Sequence, residues 1–482
     1  MDNRKLGKSI VGGLFWRFGE RFLAQGVTFV VSLIVSRILG PSAYGMVSIL
    51  LVFITFSEVF LTAGFGNSLI QKKDSDSIDF SSVFYFNIVF SILLYLIIFL
   101  IAPFLENFYG NDYSGLTAAL RVLALRIPIT AINNVQQSYV SKNMAFKKFF
   151  FATIGGSLSS AVVGIVMAIS GFGVWALVAQ YLFNALVNTL VLWFTVKWRP
   201  ILAFSFNRLK SLISYGWKLL CANLIFSLST NIRSMLIGKF YTSSDLAYYN
   251  RGKQIPDLIT DTLNTSILSV MFPALCKIQH DKQQMKILVR RAVKTLSYFL
   301  APVLFGVALL SEKFVVLILS DEWLGAVPFI QVFCISGLLQ PIMKPCQQVT
   351  KALGKSGIFL ILEIVKCIIT IILLLLTLRL GVIYIALGYI TSSIIGMFID
   401  IYVGGKMINY KFSEQFFDLI KPVFVSLLMF ILLSFVDYIP TAPIVRILLQ
   451  IIIGVLFYWF ISLATRDETY IYIINKFLRR KS

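Results

Sequence analysis

Apolar residues in this chain are gathered into about fourteen long runs, separated by short polar segments. Each run holds roughly 20 residues, the length that a helix needs to cross the ~30 Å hydrocarbon layer of a bilayer. The pattern therefore predicts an all-α polytopic membrane protein. We place the runs at residues 11–37, 44–66, 83–106, 116–140, 149–170, 173–196, 212–238, 246–276, 292–318, 325–350, 357–378, 381–404, 417–436 and 443–464.

Lysines and arginines fall mainly in alternate gaps between these runs. If the N-terminus is cytoplasmic, more than half of the 43 lie in the cytoplasmic gaps, whereas the outer side has few, namely Arg37, Lys239, Lys313 and Arg379. Positive residues retained on the cytoplasmic side set the orientation of membrane proteins. The bias therefore predicts a multi-pass membrane protein with both termini in the cytoplasm.

Composition narrows the function classes. The chain is 58% hydrophobic and only 13% charged, which excludes a soluble domain. Its net charge of +21 is spread over short loops, and this indicates anionic headgroups rather than nucleic acid as the partner. Five cysteines without a Cys-x-x-Cys spacing and a single histidine, His280, give no pattern for a metal site or a histidine-based triad. We expect no metal, no cofactor and no enzymatic activity.

Two short strings resemble catalytic motifs and are interpreted otherwise. Gly354, Lys355 and Ser356 end like a phosphate-binding loop, but Val349 stands where that loop requires glycine. Asp74 and Asp76 resemble a metal-binding Asp-x-Asp pair, yet no nucleotide-binding fold surrounds them. We predict secondary transport without ATP hydrolysis, and a solvated loop at the aspartates.

Polar residues at helical spacing within the runs are the main candidates for function, because a charge in hydrocarbon costs ~3 kcal/mol and usually faces water or a partner. In the first run they recur every three or four residues and form one stripe. The fourth and eighth runs carry similar stripes. The members are Arg17, Arg21, Gln25, Thr28 and Ser32 in the first run; Arg126, Thr130, Asn133 or Asn134, and Gln137 in the fourth; and Lys253, Asp257, Asp261 and Asn264 in the eighth.

Each stripe has a functional and a structural interpretation. Arg17 can reach the headgroups with its long side chain, whereas Arg21 and Arg126 lie deeper and either line an aqueous cationic cavity or form buried pairs. Arg251 joins the candidate cavity residues. Glu363 and Lys366, three residues apart, are expected to form a structural ion pair.

Ion coupling has its own candidates. Asp257 and Asp261 lie one turn apart with Lys253 one turn before them, so that two close carboxylates share a low-dielectric setting. One of them is predicted to carry a proton, although a static pair with Lys253 explains the pattern equally well. Glu58 and Asp400 are the next candidates.

A weak internal repeat divides the chain. A Trp-then-cation step at Trp16 recurs at Trp217, and the turn after Arg37 is matched after Lys239. Six runs separate the copies, so that the halves have parallel topology. We predict a first six-helix lobe at 1–200, a second at 201–410, and two additional helices with a basic cytoplasmic tail at 411–482.

Several strings in this order resemble the Wzx-type polysaccharide exporters, and more narrowly the colanic-acid and teichuronic-acid exporter branch of the MATE-like (MOP) superfamily. The resemblance covers about residues 5 to 410. The strings that carry it are Arg37 to Gly45, Phe65 to Lys72, Tyr249 to Gly252, Phe272 to Gln279 and Ala352 to Ser356.

The resemblance implies a flippase of the bacterial plasma (inner) membrane for undecaprenyl-pyrophosphate-linked oligosaccharide repeat units in exopolysaccharide, capsule or O-antigen synthesis. It implies alternating access of a cationic central cavity, with membrane lipids and the polysaccharide polymerase machinery as further partners. The coupling ion, a proton or Na⁺, stays open at this point. Two alternatives are a MATE-type drug or cation antiporter, which would favour an acidic cavity, and a membrane enzyme of polysaccharide assembly, which would need a catalytic loop or domain.

Overall fold

The computed structural model describes residues 3–62, 69, 76–143, 147–440 and 442–471; the side chains of residues 3–22 and of a few later helix positions lie outside that description. Over the described residues the fold is all-α, as predicted. We number the helices in chain order: α1 Asn3–Thr62, α2 Ser77–Tyr109, α3 Leu116–Leu123, α4 Arg126–Lys142, α5 Lys147–Ile169, α6 Val174–Thr195, α7 Phe206–Phe240, α8 Ser243–Lys277, α9 Lys282–Phe314, α10 Val327–Gly337, α11 Gln340–Ala352, α12 Ser356–Thr377, α13 Val382–Met407, α14 Phe412–Ser434 and α15 Pro443–Ala464.

The membrane-spanning character of the helices follows from their length and composition. Among the described residues, eleven segments are long and apolar enough to cross a membrane. A twelfth is added when α10 and α11, which meet at a bend of 45°, are counted as one broken span. About fourteen spans remain compatible with this number, because α1 contains the first two predicted spans and α7 coincides with the seventh.

The predicted gap between the first two spans is a break inside α1. Gly40 adopts φ 69° and ψ 178°, a left-handed backbone that favours glycine, and Pro41 follows it. Beyond the break, the hydroxyls of Ser42 and Ser243 lie 3.0 Å apart. A Cβ atom on Gly45 would lie 1.7 Å from the carbonyl oxygen of Ser243. Only a glycine permits this close backbone approach.

The chain divides into two compact units, Met1–Ala247 and Tyr248–Ser482. In the first unit, α5 and α6 pack closely through small residues, because a Cβ atom on Gly156 or Gly164 would come within 2.9 Å of α6. Small residues at such contacts are typical of membrane helices, which gain little from hydrophobic association in lipid. The predicted lobe boundaries at 200 and 410 stay predictions.

In the second unit, charged contacts near both ends of α9 tie it to the last two helices. Near its start, Arg290 donates two hydrogen bonds to Asp418 of α14, at 2.7 and 3.1 Å. At its end, Lys313 pairs with Asp437 and donates to the Oε1 of Gln450 on α15 at 2.8 Å. Because Gln450 is fully buried, its amide must be hydrogen-bonded inside the protein. These contacts fix α14 and α15 against α9.

The aspartate at position 76 caps α2. Its Oδ1 accepts hydrogen bonds from the backbone N–H groups of Ile78 and Asp79, and Arg208 donates to its carboxylate at 2.6 Å. The hydrogen bond from Arg208 lowers the pKa of Asp76 below its usual value, and the backbone hydrogen bond from Asp79 adds to the effect. Asp74 lies outside the described residues. Asp76 therefore has a structural role at a helix start.

Candidate functional site

Arg126 stands at the first residue of α4 and is partly buried. Its Nε atom lies 3.0 Å from the Oε1 of Glu58 on α1. The guanidinium also lies over the ring of Tyr181 on α6, 5.7 Å from the centroid. A candidate cation for substrate and a candidate group for ion coupling are therefore direct partners. An anionic ligand must therefore displace Glu58 before it can form a full ion pair with Arg126.

The rest of the α4 stripe is amide-rich. Asn133 is buried and donates from Nδ2 to the Oδ1 of Asn188 on α6 at 3.1 Å, while Gln137 is partly buried. Several other amide atoms here, the Oδ1 of Asn133, the Nδ2 of Asn134 and both polar atoms of Gln136, are buried without a hydrogen-bond partner among the described residues. Such atoms retain the capacity to bind hydroxyl groups.

The stripe in the first span is only partly described. The backbone around Arg17 and Arg21 belongs to α1, but their side chains lie outside the described residues. Gln25 is described and is exposed. The substrate-binding roles of Arg17 and Arg21 therefore remain predictions. A further arginine in the first unit is Arg233, which is buried in the C-terminal part of α7 and belongs to none of the predicted stripes.

Arg251 in α8 is packed inside the second unit. It is 3% exposed, donates from Nη1 to the Oε1 of Gln254 at 2.9 Å and lies 5.3 Å from the ring centroid of the fully buried Trp323. Burial of an arginine against an indole gives a cation–π contact that stabilises the local packing. This environment favours a structural role, and its predicted role in substrate binding stays untested.

The coupling stripe of α8 has one weak pair. Lys253 Nζ lies 4.0 Å from the Oδ2 of Asp257 and 5.3 Å from the ring centroid of Tyr389. Asp261 is exposed. Asn264, the last member, donates to the Oε1 of Gln340 on α11 at 2.8 Å. This hydrogen bond connects the polar stripe of α8 to helix α11.

Helix α11 carries a further stripe of polar residues, which was not predicted from the sequence. Its polar residues recur every three or four positions, which places them on one side of the helix. They are Gln340, Lys344, Gln347, Gln348 and Lys351. The missed signal was this spacing, which was hidden because residues 325–350 were interpreted as one apolar span. The bend between α10 and α11 divides that span into an apolar and an amphipathic half.

Lys344 and Lys351 of α11 differ in their contacts from Lys253 of α8 and Lys366 of α12. Neither has a carboxylate within 4.0 Å among the described residues, whereas Lys253 and Lys366 do. The Nζ of Lys351 lies 4.3 Å from the ring centroid of Phe359. Lys344 and Lys351 are two helical turns apart, which is ~10 Å along the helix axis. An ammonium group without a carboxylate partner keeps its donors available for an anionic ligand.

The expected ion pair of Glu363 and Lys366 is present and is part of a larger network. Lys366 Nζ lies 2.5 Å from the Oε1 of Glu363 and 3.2 Å from both carboxylate oxygens of Asp400 on α13. Gln347 donates to Asp400 at 2.9 Å. The side chain of Asp400 is 2% exposed. One lysine therefore contacts two carboxylates on two helices, which suits a structural role.

No group of three or more His, Cys, Asp or Glu side chains in the described ranges could hold a metal ion. The donors described so far are ammonium, guanidinium and amide groups, which suit phosphates and sugars.

Comparison with known proteins gives consistent matches. The family described as "Polysaccharide biosynthesis protein" matches residues 34–328. The teichuronic acid biosynthesis protein TuaB of Bacillus subtilis is 24% identical over 87% of this chain and 88% of its own. The lipopolysaccharide biosynthesis protein WzxC of Escherichia coli is 22% identical over 88% of this chain and 86% of its own.

Solved structures show the same fold. The lipid II flippase MurJ, in an inward closed conformation, aligns with a TM-score of 0.77 at 16% identity, over 94% of this chain and 99% of its own. An inward-facing multidrug resistance MATE transporter of the MOP superfamily aligns with a TM-score of 0.65 at 16% identity, over 80% of this chain and 94% of its own. The predicted MATE-like fold is confirmed.

Proposed function

Because this chain belongs to the polysaccharide biosynthesis protein family, we propose that it flips undecaprenyl-pyrophosphate-linked oligosaccharide repeat units across the bacterial plasma membrane. Its relatives carry names of polysaccharide biosynthesis and transport, which favours this function over a drug antiporter or a membrane enzyme. A pyrophosphate and a glycan cannot cross hydrocarbon unaided, because burying their charge and hydroxyl groups is costly. The protein supplies polar groups along the route.

The observation that carries this proposal is the pair of lysines on α11. Lys344 and Lys351 have no carboxylate within 4.0 Å in the described part of the chain, and they share one helix side with three glutamines. Two ammonium groups bind phosphate oxygens through charge-assisted hydrogen bonds. The neighbouring amides are suited to sugar hydroxyls.

Arg126 adds an exchangeable cation in the first unit. Glu58 neutralises it in the structure. When substrate phosphate takes the place of Glu58, the released carboxylate becomes a site for a proton or Na⁺. Substrate loading and ion loading are then coupled through one arginine. Lys253, Asp257 and Asp261 are proposed to serve coupling in the second unit, as the sequence predicted.

A transport assay in liposomes tests the proposal directly. The liposomes contain only this protein and a fluorescent undecaprenyl-pyrophosphate oligosaccharide. The labelled lipid should move from the shielded to the accessible leaflet faster than in protein-free liposomes, as measured by quenching with a membrane-impermeant reductant. A protein that leaves the lipid in place but transports a cationic dye such as ethidium would instead be a drug antiporter.

The chain is a multi-pass membrane protein, and we propose that both termini are cytoplasmic. Single cysteines in a cysteine-free background should report this with a membrane-impermeant maleimide in intact cells. Positions 111 and 322, both exposed, should be labelled from outside, and the exposed Gln283 and Ser413 only after permeabilisation. The expected contrast follows from the positive-inside bias. Labelling of a cysteine at position 283 or 413 from outside would show that the orientation is the reverse of the one proposed.

A further inference from the structure

A small cationic cavity lies beside the first half of α9, in the second unit. Its volume is about 270 Å³, and its lining includes Arg290, Arg291, Lys294 and Thr295 of α9 and Glu468 and Thr469 of the segment after α15. The predicted span in α9 begins near residue 292, and α15 ends at Ala464. The cavity is therefore at the level of the headgroups, on the side predicted to be cytoplasmic.

Two carboxylates pair with Arg290 and Lys294, and the two carboxylates differ in burial. Asp418 has a side chain that is 4% exposed; it accepts two hydrogen bonds from Arg290, accepts one from the Tyr410 hydroxyl at 2.6 Å and lies 3.4 Å from Lys294. Breaking such a contact would leave the buried Asp418 carboxylate without its cations, which is strongly destabilising. Asp418 is therefore a fixed part of the structure.

Glu468 is held much more weakly. Its side chain is 78% exposed, and its contact is a 2.5 Å ion pair with Lys294. Exposed ion pairs contribute little to stability, because water solvates both partners well. An external anion with stronger hydrogen-bonding oxygens can therefore displace Glu468, while Asp418 continues to hold Arg290 and Lys294 in position.

We propose that this cavity binds the phosphate of an anionic phospholipid from the predicted cytoplasmic leaflet, and that Glu468 is the protein's own anion that the phosphate displaces. Basic pockets at the cytoplasmic ends of membrane helices are suited to such headgroups. Thr295 and Thr469 supply hydroxyl donors at the same cavity. Ile287, an exposed apolar side chain in the lining of the cavity, favours a lipid over a free phosphate ion.

The site lies apart from the α11 lysines in sequence and takes a lipid that is not transported. It rests on the predicted orientation but not on the proposed transport. An anionic lipid bound there would link α9 to the segment after α15, as Glu468 does, and would make the stability of the protein depend on the lipid composition of the membrane.

The test is binding of phosphatidylglycerol to the purified full chain in a neutral detergent, followed by native mass spectrometry, with phosphatidylcholine as the zwitterionic reference. The wild type should bind phosphatidylglycerol preferentially. Arg291→Gln should weaken this binding about tenfold, the loss expected for one charge-assisted contact. Arg291→Gln leaves the contacts of Arg290 and Lys294 to Asp418 in place. Lys282→Gln, at an exposed lysine that starts the same helix, should have no effect.

Glu468→Gln is the decisive variant, because it removes the competing anion and should bind phosphatidylglycerol several-fold more tightly. Unchanged or weaker binding by this variant overturns the proposed displacement. Equal binding of phosphatidylglycerol and phosphatidylcholine by the wild type overturns the site itself. Undecaprenyl pyrophosphate and inorganic phosphate serve as competitors. If either displaces phosphatidylglycerol at lower concentration than phosphatidylglycerol itself, the cavity is a substrate or free-phosphate site and the phospholipid assignment fails.

Discussion

Replacing Lys344 and Lys351 together by glutamine should lower transport of the lipid-linked oligosaccharide by about 100-fold. Each ammonium that hydrogen-bonds a phosphate contributes about 1.5 kcal/mol or more, and 1.4 kcal/mol corresponds to a factor of ten. Glutamine keeps a similar length and an amide donor but removes the charge. The rate of leaflet exchange in liposomes, at a fixed protein-to-lipid ratio, is the measurement.

The control is Lys355→Gln, which removes an exposed lysine just beyond the end of the same helix. It should transport at the wild-type rate. Arginine at both positions should preserve most of the activity, since a guanidinium also binds phosphate. If the double glutamine variant is well folded and transports as fast as the control, α11 does not hold the pyrophosphate.

Removal of the ammonium at position 366 should strongly destabilise the second unit. In Lys366→Met, the buried Asp400 and the adjacent Glu363 lose the cation that both of them contact. An uncompensated buried charge costs about 3–5 kcal/mol. The midpoint of thermal unfolding in detergent should fall clearly below that of the wild type.

A second substitution separates charge from packing. Asp400→Asn in the Lys366→Met background removes the buried negative charge while it keeps the shape of the side chain. This double variant should recover a large part of the lost stability, as expected for two residues that interact directly. A single Met variant that unfolds at the wild-type temperature would show that Asp400 is protonated or hydrated rather than paired.

The sequence predicted the architecture well because span length and charge bias follow from the bilayer itself. The predicted gap between the first two spans coincides with the break at Gly40 and Pro41, where the backbone leaves the helical conformation. Periodicity also predicted the contact between Glu363 and Lys366, because the two residues are neighbours on one helix.

Contacts between distant helices were beyond this reasoning. No spacing rule connects Arg126 to Glu58, or Asn133 to Asn188, because each pair depends on how separate helices are packed. The same applies to Asp400, which lies 34 residues from Lys366. The α11 stripe was predictable in principle and was missed because one long apolar run concealed a bend. A stripe therefore identifies which residues are polar within a helix, and packing determines their partners.

The charged contacts of α9 constrain the order in which the second unit can form during synthesis. The chain is made from its N-terminus, so α9 enters the membrane with Arg290 and Lys313 before their partners exist. Asp418 follows Arg290 by 128 residues, and Asp437 follows Lys313 by 124. A ribosome stalled between these points would leave a membrane-inserted α9 with unpaired cations. Packing of the last two helices is thus a late step in the folding of the second unit. Newly made chains that lack these helices are expected to be recognised as unfinished by quality control.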